Sequence, residues 1–414
     1  MPDHPSQPPQ NADSPPSEAV AAAGSGIDRG TRRIAVVTSG RADYGLLRPV
    51  LAALAVQPGT ALIVHATGAH LSARHGMTID RIRTEGWDAI ETVETETHPD
   101  RPMADKVAAG VAGFAAAFAE HRPDVCVLLG DRFETMSAAV ASSTSGVPIA
   151  HIHGGEISTG ALDNQFRYAI TALANLHCVA TAKARDRLIA MGESPEAVIR
   201  TGAPGLDALA GFEPMPRDAF CREAGLGDDA PFLLVTLHPE TIGQADATTQ
   251  ASTLVRALEA VGMPVLTTAA NQDPAGNAIN AVLEDACARY GWAYSRVLGP
   301  LYLVAMHHAA AMVGNSSSGI IEAASFGLAV VNIGERQGGR ERSGNVLDCA
   351  HGADAISSTV RGALATDVSG AVNLYAAPVD GGPLLASERI ARAVAAMPLG
   401  AAGLRKQFEP PGLT

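Results

Sequence analysis

Two short loops carry the residues best suited to proton chemistry. Gly130-Asp131-Arg132 follows an apolar run at 124–129, and His153-Gly154-Gly155-Glu156 follows another at 147–152, with Asp163 just downstream. A carboxylate or imidazole fixed beside a reacting carbon can take a proton and return it. A third junction, Gly314-Asn315-Ser316-Ser317-Ser318-Gly319, offers hydroxyls and backbone amides instead, and leads into a helical pattern holding Glu322. Free amides at the start of a helix suit a diphosphate. Arg336, Arg340 and Arg342 follow the next apolar run, in a glycine-rich stretch suited to clamping phosphate. His238 closes the run 233–236 as His-Pro-Glu. The pattern predicts acid/base chemistry in one half of the chain and anion binding in the other.

Each motif also has a plainer reading. Asp131 followed three residues later by Glu134 makes a capping box, which predicts Asp131 as a helix N-cap. His151 and His153 alternate at a strand end and therefore share a face. Such a pair can bind a metal, yet no third ligand stands at a motif-grade spacing, so no metal site is assigned. The serine run can be a simple N-cap, Glu322 a solvated charge, and His238 a hydrogen-bonded strand-end residue.

The elements that must position these residues alternate. Strand patterns fall at 34–38, 61–66, 124–129, 147–152 and 177–181, with helical patterns at 44–56, 103–121, 132–143 and 163–176 between them. Phe166, Ile170 and Leu173 recur at helical spacing, leaving Asp163 near an N-cap and Arg167 one turn on. After a Pro- and Gly-containing stretch at 211–229, strand patterns resume at 232–237, 265–268, 311–313 and 329–333. This predicts an α/β fold of two doubly wound, Rossmann-like domains, 31–211 and 212–400, with a site in the cleft between them. Residues 1–30, rich in Pro, Ser, Ala and Gly, read as a disordered tail without the features of a signal peptide.

A chain of 414 residues is comfortable for two cores. It is 47% hydrophobic and 4% aromatic with a net charge of −13, which disfavours nucleic acid as a partner. A small phosphorylated ligand, held by local arginines, remains compatible. No apolar run reaches membrane-span length. The five cysteines are scattered without a CxxC pair and read as reduced thiols in a cytoplasmic protein.

The ordered motifs resemble the hydrolysing UDP-N-acetylglucosamine 2-epimerases over most of the chain from Arg33 to about Asp348. Thr38-Ser39-Gly40-Arg41-Ala42-Asp43-Tyr44 resembles the family's first-strand loop, and Gly130-Asp131-Arg132 its catalytic loop. His151–Glu156 with Asp163, His238-Pro239, Gly314–Glu322 and Arg336–Glu341 follow in the family's order. Non-hydrolysing relatives usually carry Thr where Arg132 stands. The resemblance implies a glycosyltransferase-B-like fold and a homodimer or homotetramer. It implies hydrolysis of UDP-N-acetylglucosamine, or a close 2-acetamido analogue, to UDP and a free manno-configured sugar, without a cofactor. The expected products feed nonulosonic acid or surface-polysaccharide synthesis. Asp131, Asp163, His153, Glu156 and His238 become the catalytic candidates. Arg41, Arg132, Asn271, Ser316, Ser317, Glu322 and Arg336 become the nucleotide and diphosphate candidates.

The sequence departs from the sialic-acid branch at His153, where Glu is common, and at Leu46, where Lys is common. These forms look more like the branch acting on nucleotide-linked 2,4-diacetamido-2,4,6-trideoxyglucose. A glycosyltransferase on the same frame, or a silent nucleotide-sugar sensor, stands as the alternative, since a fold does not fix function.

Overall fold

The computed structural model describes residues 30–73, 76–95, 101–158, 163–227, 230–240, 246–270, 274–378, 384–406 and 408–409. The expected tail lies outside them, as does Asn271. Two sheets organise the chain, and every strand pair in both is parallel. The first comprises β1 (Arg32–Thr38), β2 (Thr60–Thr67), β3 (Ala89–Val93), β4 (Val125–Leu129), β5 (Ile149–Ile152), β6 (Leu176–Val179) and β7 (Val198–Arg200). The second comprises β8 (Leu233–Thr236), β9 (Val265–Thr268), β10 (Ala293–Ser295), β11 (Ala311–Gly314), β12 (Val330–Ile333) and β13 (Val346–Cys349).

The inner strands are short runs such as Leu233–Thr236, LLVT, buried throughout because helices cover both faces of a parallel sheet. The sheet orders are β3-β2-β1-β4-β5-β6-β7 and β10-β9-β8-β11-β12-β13. Each therefore reverses direction once, between β1 and β4 and between β8 and β11. Crevices outside the carboxyl ends of the strands at such reversals are where ligands bind in open α/β sheets. The first pair ends at Thr38 and Leu129, leading into Ser39 and Gly130, and the second at Thr236 and Gly314, leading into Leu237 and Asn315. All three chemistry-bearing loops thus leave the sheets at or beside these crevices.

Four strands, β3, β7, β10 and β13, were not expected from the sequence, and all four are sheet edges. Two boundaries also differ from the expectation. The 163–176 pattern divides into the helix Asp163–Leu173 and the start of β6, with Asn175 turning the chain by offering its side chain to the Ile149 amide at 3.0 Å. The second domain does not run unbroken to 400. Ile390, Ala391, Val394 and Met397, on and after the helix Ala386–Ala396, pack in the core of the first sheet with Leu47, Leu51 and Leu54. Arg32 at the start of β1 fastens this return by donating to the carbonyls of Val394 (2.6 Å) and Met397 (2.9 Å).

Candidate active site

Gly130, at φ +76°, turns the chain out of β4 and presents Asp131. Asp131 is not the N-cap that the capping-box pattern predicts. Arg132 holds that position before the helix Phe133–Thr144, and its side chain makes no cap bond. The buried Glu134 instead receives the Arg132 guanidinium, Nε at 3.2 Å and Nη2 at 3.3 Å. Asp131 points to Arg167, whose Nε donates to Oδ2 at 3.0 Å and whose Nη2 makes a second, shorter bond to the same oxygen. The desolvated guanidinium outcompetes the backbone amides, because ionised partners make the stronger bond.

The expected shared face of His151 and His153 also fails. β5 ends at Ile152, and His153 adopts φ +63°, which breaks the strand's alternation. His151 turns its Nε2 to the Gly130 carbonyl at 2.8 Å, and burial pushes its pKa down to about 3. His151 is thus a neutral strut beneath the Asp131 loop. His153 Nδ1 lies 2.5 Å from Glu156 Oε1. Among the described residues no cluster of His, Cys, Asp and Glu is arranged to hold a metal.

Glu156 is the hub of the first loop pair. Its Oε2 lies 2.9 Å from Arg340 Nη1 and 3.6 Å from Arg167 Nη1. Burial alone would raise this carboxyl, yet His153, Arg340 and Arg167 hold it far below the usual carboxylate range. Asp163, half-buried in the first turn of its helix, behaves oppositely. Burial first, then the nearby Asp131 charge, pushes its carboxyl up to about 6, against the pull of Arg132 and Arg167. Glu156 and Asp163 both lie against Arg167, and environments that push two carboxyls apart in this way are the usual raw material of acid/base catalysis.

The second unit supplies a different surface. Gly314, at φ +141°, passes so close to β8 that a Cβ there would stand 1.9 Å from the Thr236 carbonyl oxygen. The chain then reaches Asn315, whose side chain exchanges two bonds with the His238 backbone, at 2.7 and 2.9 Å. Arg336 Nη1 and Gln337 Nε2 donate to the Asn315 carbonyl at 3.0 and 2.9 Å. Hence the loops bearing His238, Ser316 and Arg336 converge on Asn315. Ser316 caps the short helix Ser317–Ile321, and its Oγ lies 2.8 Å from that of Ser318. Glu322, at the end of that helix, is not a solvated charge: its Oε2 is buried without a hydrogen-bond partner, and burial pushes the carboxyl up to about 7 against the pull of Arg340.

The three arginines expected to clamp phosphate divide. Arg336 stays with the serine loop, Arg340 crosses to Glu156, and Arg342 turns away to Asp348 at 3.1 Å. Arg41 stands exposed in the first turn of the helix Arg41–Ala55, whose start is capped by Asp43 accepting from Ser39 and Gly40. Asn315 and Arg167 complete the constellation, although neither was among the sequence's candidates. Arg167 had a visible signal in its placement one turn from Asp163.

Comparison with known proteins decides what this frame is. A family model described as UDP-N-acetylglucosamine 2-epimerase matches residues 52–395. The chain belongs to the UDP-N-acetylglucosamine 2-epimerase family. A UDP-N,N'-diacetylbacillosamine 2-epimerase (hydrolyzing) of Legionella pneumophila is 37% identical over 80% of this chain and 89% of its own length. A GDP/UDP-N,N'-diacetylbacillosamine 2-epimerase (hydrolyzing) of Campylobacter jejuni is 30% identical over 77% and 84%. In fold, the chain is similar to the UDP-GlcNAc 2-epimerase of Neisseria meningitidis, with a TM-score of 0.73 and 15% identity, covering 88% of this chain and 99% of that one. The epimerase fold is the two-domain, glycosyltransferase-B-like α/β arrangement expected from the sequence. No helix among the described residues is long and apolar enough to cross a membrane.

Proposed function

We propose that this epimerase hydrolyses a UDP-linked 2-acetamido sugar to UDP and the free manno-configured sugar. UDP-linked 2,4-diacetamido-2,4,6-trideoxyglucose is the first substrate to try, because the 37%-identical relative carries that specificity in its name. UDP-N-acetylglucosamine is the second. The observation that carries the reading is the pair Asp131 and Asp163, one bound to Arg167 and the other raised to about 6, facing a second unit built around Asn315 and Ser316.

The C2 hydrogen has no carbonyl beside it, so its removal must accompany departure of the diphosphate from C1. Asp163 takes the C2 proton as the C1–O bond breaks, and the bonding pair leaves with UDP. A carbon–carbon double bond remains between C1 and C2. Water then adds its hydroxyl to C1 while its proton, relayed by Asp131, reaches C2 on the opposite face, and Asp163 gives the proton it took to solvent. The sum is nucleotide sugar plus water giving UDP plus epimerised sugar, with no cofactor consumed.

Charge developing on the diphosphate is met by preorganised donors, which matter most where water is excluded. Arg132, the His238 loop, Ser316, Ser317 and Arg336 are assigned there, with Glu322 and Arg41 at the nucleotide. Glu156 holds His153, Arg167 and Arg340 in register. We further assign a cytoplasmic location, supported by five free thiols, and a homo-oligomeric state, supported by the family resemblance and testable by light scattering.

Turnover in D2O tests the reaction. The freed sugar carries one solvent deuterium at C2, read by mass spectrometry and NMR. A released sugar with protium at C2 and unchanged configuration would replace this reading with simple hydrolysis.

A further inference from the structure

A second buried ionic cluster lies at the far end of the helix that carries Asp163 and Arg167. Beyond the returning helix Ala386–Ala396, the turn Gly400–Leu404 sets Gly403 against Pro148 and Pro398, and the chain brings Lys406 beneath the helix's last turn. Lys406 Nζ donates to the carbonyls of Thr171 (2.9 Å) and Ala174 (2.5 Å). It also pairs with Glu193 Oε1 at 2.6 Å, while His177 Nε2 meets Glu193 Oε2 at 3.0 Å. Glu193 and His177 are 3% and 0% exposed, so this is an interior cluster and not a surface ion pair. None of these groups has a part in the chemistry above.

The last carbonyls of a helix lack intrahelical partners, and a cation there satisfies them and complements the helix dipole. A buried ammonium needs a counter-charge, which Glu193 provides. The helix Asp163–Leu173 then runs from this anchor to the reacting groups by two connected routes. Along its own axis it carries Arg167, which grips Asp131 and Glu156. Sideways, Thr171 Oγ1 meets His151 Nδ1 at 3.4 Å, and His151 Nε2 holds the Gly130 carbonyl beside Asp131. Thr171 is thus both a ligand of Lys406 and a neighbour of the strut under the catalytic loop.

We propose that Lys406 is a positioning residue for the epimerase reaction: by fastening the carboxyl end of the Asp163 helix, the C-terminal strap fixes where Asp163 and Arg167 stand at its other end. The inference rests on Asp131 and Asp163 being the proton-transferring pair.

The test is Lys406→Met in the full chain, read in four ways. A small displacement far from the chemistry can lower kcat by up to about a hundredfold, and a loss approaching that size is expected. UDP affinity by calorimetry changes far less than kcat, since the assigned Ser316, Ser317, Glu322 and Arg336 lie on the second unit, away from the strap. The acid limb of kcat/KM moves to lower pH as Asp163 loses its enclosure among Asp131, Arg132, Arg167 and Glu134. Amide hydrogen exchange quickens along the whole of 163–173 in substrate-free protein. Unchanged kcat and acid limb, with only a lower Tm, would overturn the proposal and leave Lys406 a plain stability element. If the Met variant does not fold, Lys406→Gln keeps amide N–H donors for the carbonyls without the charge and answers to the same four readings. Should the wild type epimerise no nucleotide sugar, the functional reading fails separately. The exchange experiment still decides the strap: quickening confined to 171–174 sinks it.

Discussion

At the scale of the residue, the two raised carboxyls make the same demand on pH, since each serves its assigned role when ionised. In the proposed mechanism Asp163 works as a base when ionised, and its pKa near 6 places half-ionisation about one pH unit below neutrality. Wild-type kcat/KM, which reports the free protein's groups, should therefore rise with pH through about 6 and then level. Asp163→Asn should lose nearly all turnover at every pH, because an amide accepts no proton; residual activity keeping the same acid limb would assign that limb to another group. Glu322, raised to about 7, is substantially protonated at neutrality in the free protein. If the hydroxyls of a ribose donate to it, binding favours the ionised form. UDP binding then releases a proton, and affinity climbs as pH passes through about 7. Calorimetry in buffers of different ionisation enthalpy measures that proton directly; proton uptake, or none, would remove Glu322 from the nucleotide site. The sequence revealed both carboxylates as candidates but neither environment. It placed Glu322 equally well in solvent, since a charge on a helix surface reads alike whether or not another unit covers it. It gave Asp131 a capping box, because the Arg167 that claims its carboxylate lies thirty-six positions away.

At the scale of the element, what was legible follows burial. The inner strands are buried on both faces and so appear as apolar runs, whereas every edge strand escaped notice. β3, AIETV, has a single fully buried residue, and β13, VLDC, has none. An edge strand needs a partner on one side only, so its sequence carries little of the pattern that betrays it. Turns are a different matter, because one atom can forbid a substitution. Gly314→Ala would drive a Cβ into the Thr236 carbonyl at an unfavourable φ, and the backbone strain alone costs about 1–3 kcal/mol. Gly362, within the helix Ala353–Ala365, has open space where its Cβ would stand. Gly362→Ala should stabilise the fold by about 0.4–1 kcal/mol, chiefly by restricting the unfolded chain. Urea unfolding of the two variants should move the midpoint in opposite directions. A Gly314 variant as stable as the wild type would show that the serine loop has slack, and with it the diphosphate surface.

At the scale of the whole molecule, the candidate site lies where two units meet, and among the described residues the Arg340–Glu156 ion pair spans them. Arg340 leaves the loop after β12 and reaches Glu156 after β5, with side chains 14% and 4% exposed. Nothing local announced this, because an arginine in a glycine-rich loop looks the same whether it waits for phosphate or for a carboxylate of the other domain. The pair ties the arginine loop of the second unit to the carboxylates of the first: Arg340 neutralises Glu156, which holds His153 and helps hold Arg167, which holds Asp131. The chain passes from one unit to the other near 201–212, where the Ala203 N–H donates to the Tyr375 carbonyl at 2.8 Å and Ala180, Ala203, Ile320 and Tyr375 pack together. Removing one partner of a buried pair leaves the other charge stranded, which is why such changes exceed the worth of the contact itself. Arg340→Ala should therefore widen the ligand-free molecule in small-angle scattering and lower kcat by up to about a hundredfold, with the serine loop still able to bind UDP. A double-mutant cycle with Glu156→Gln isolates the bridge, and groups in contact of this kind couple by about 0.5–3 kcal/mol. Additive losses in the cycle, together with an unaltered scattering profile, would mean that the two units keep their closed arrangement without the bridge. Arg340 would then serve the substrate alone.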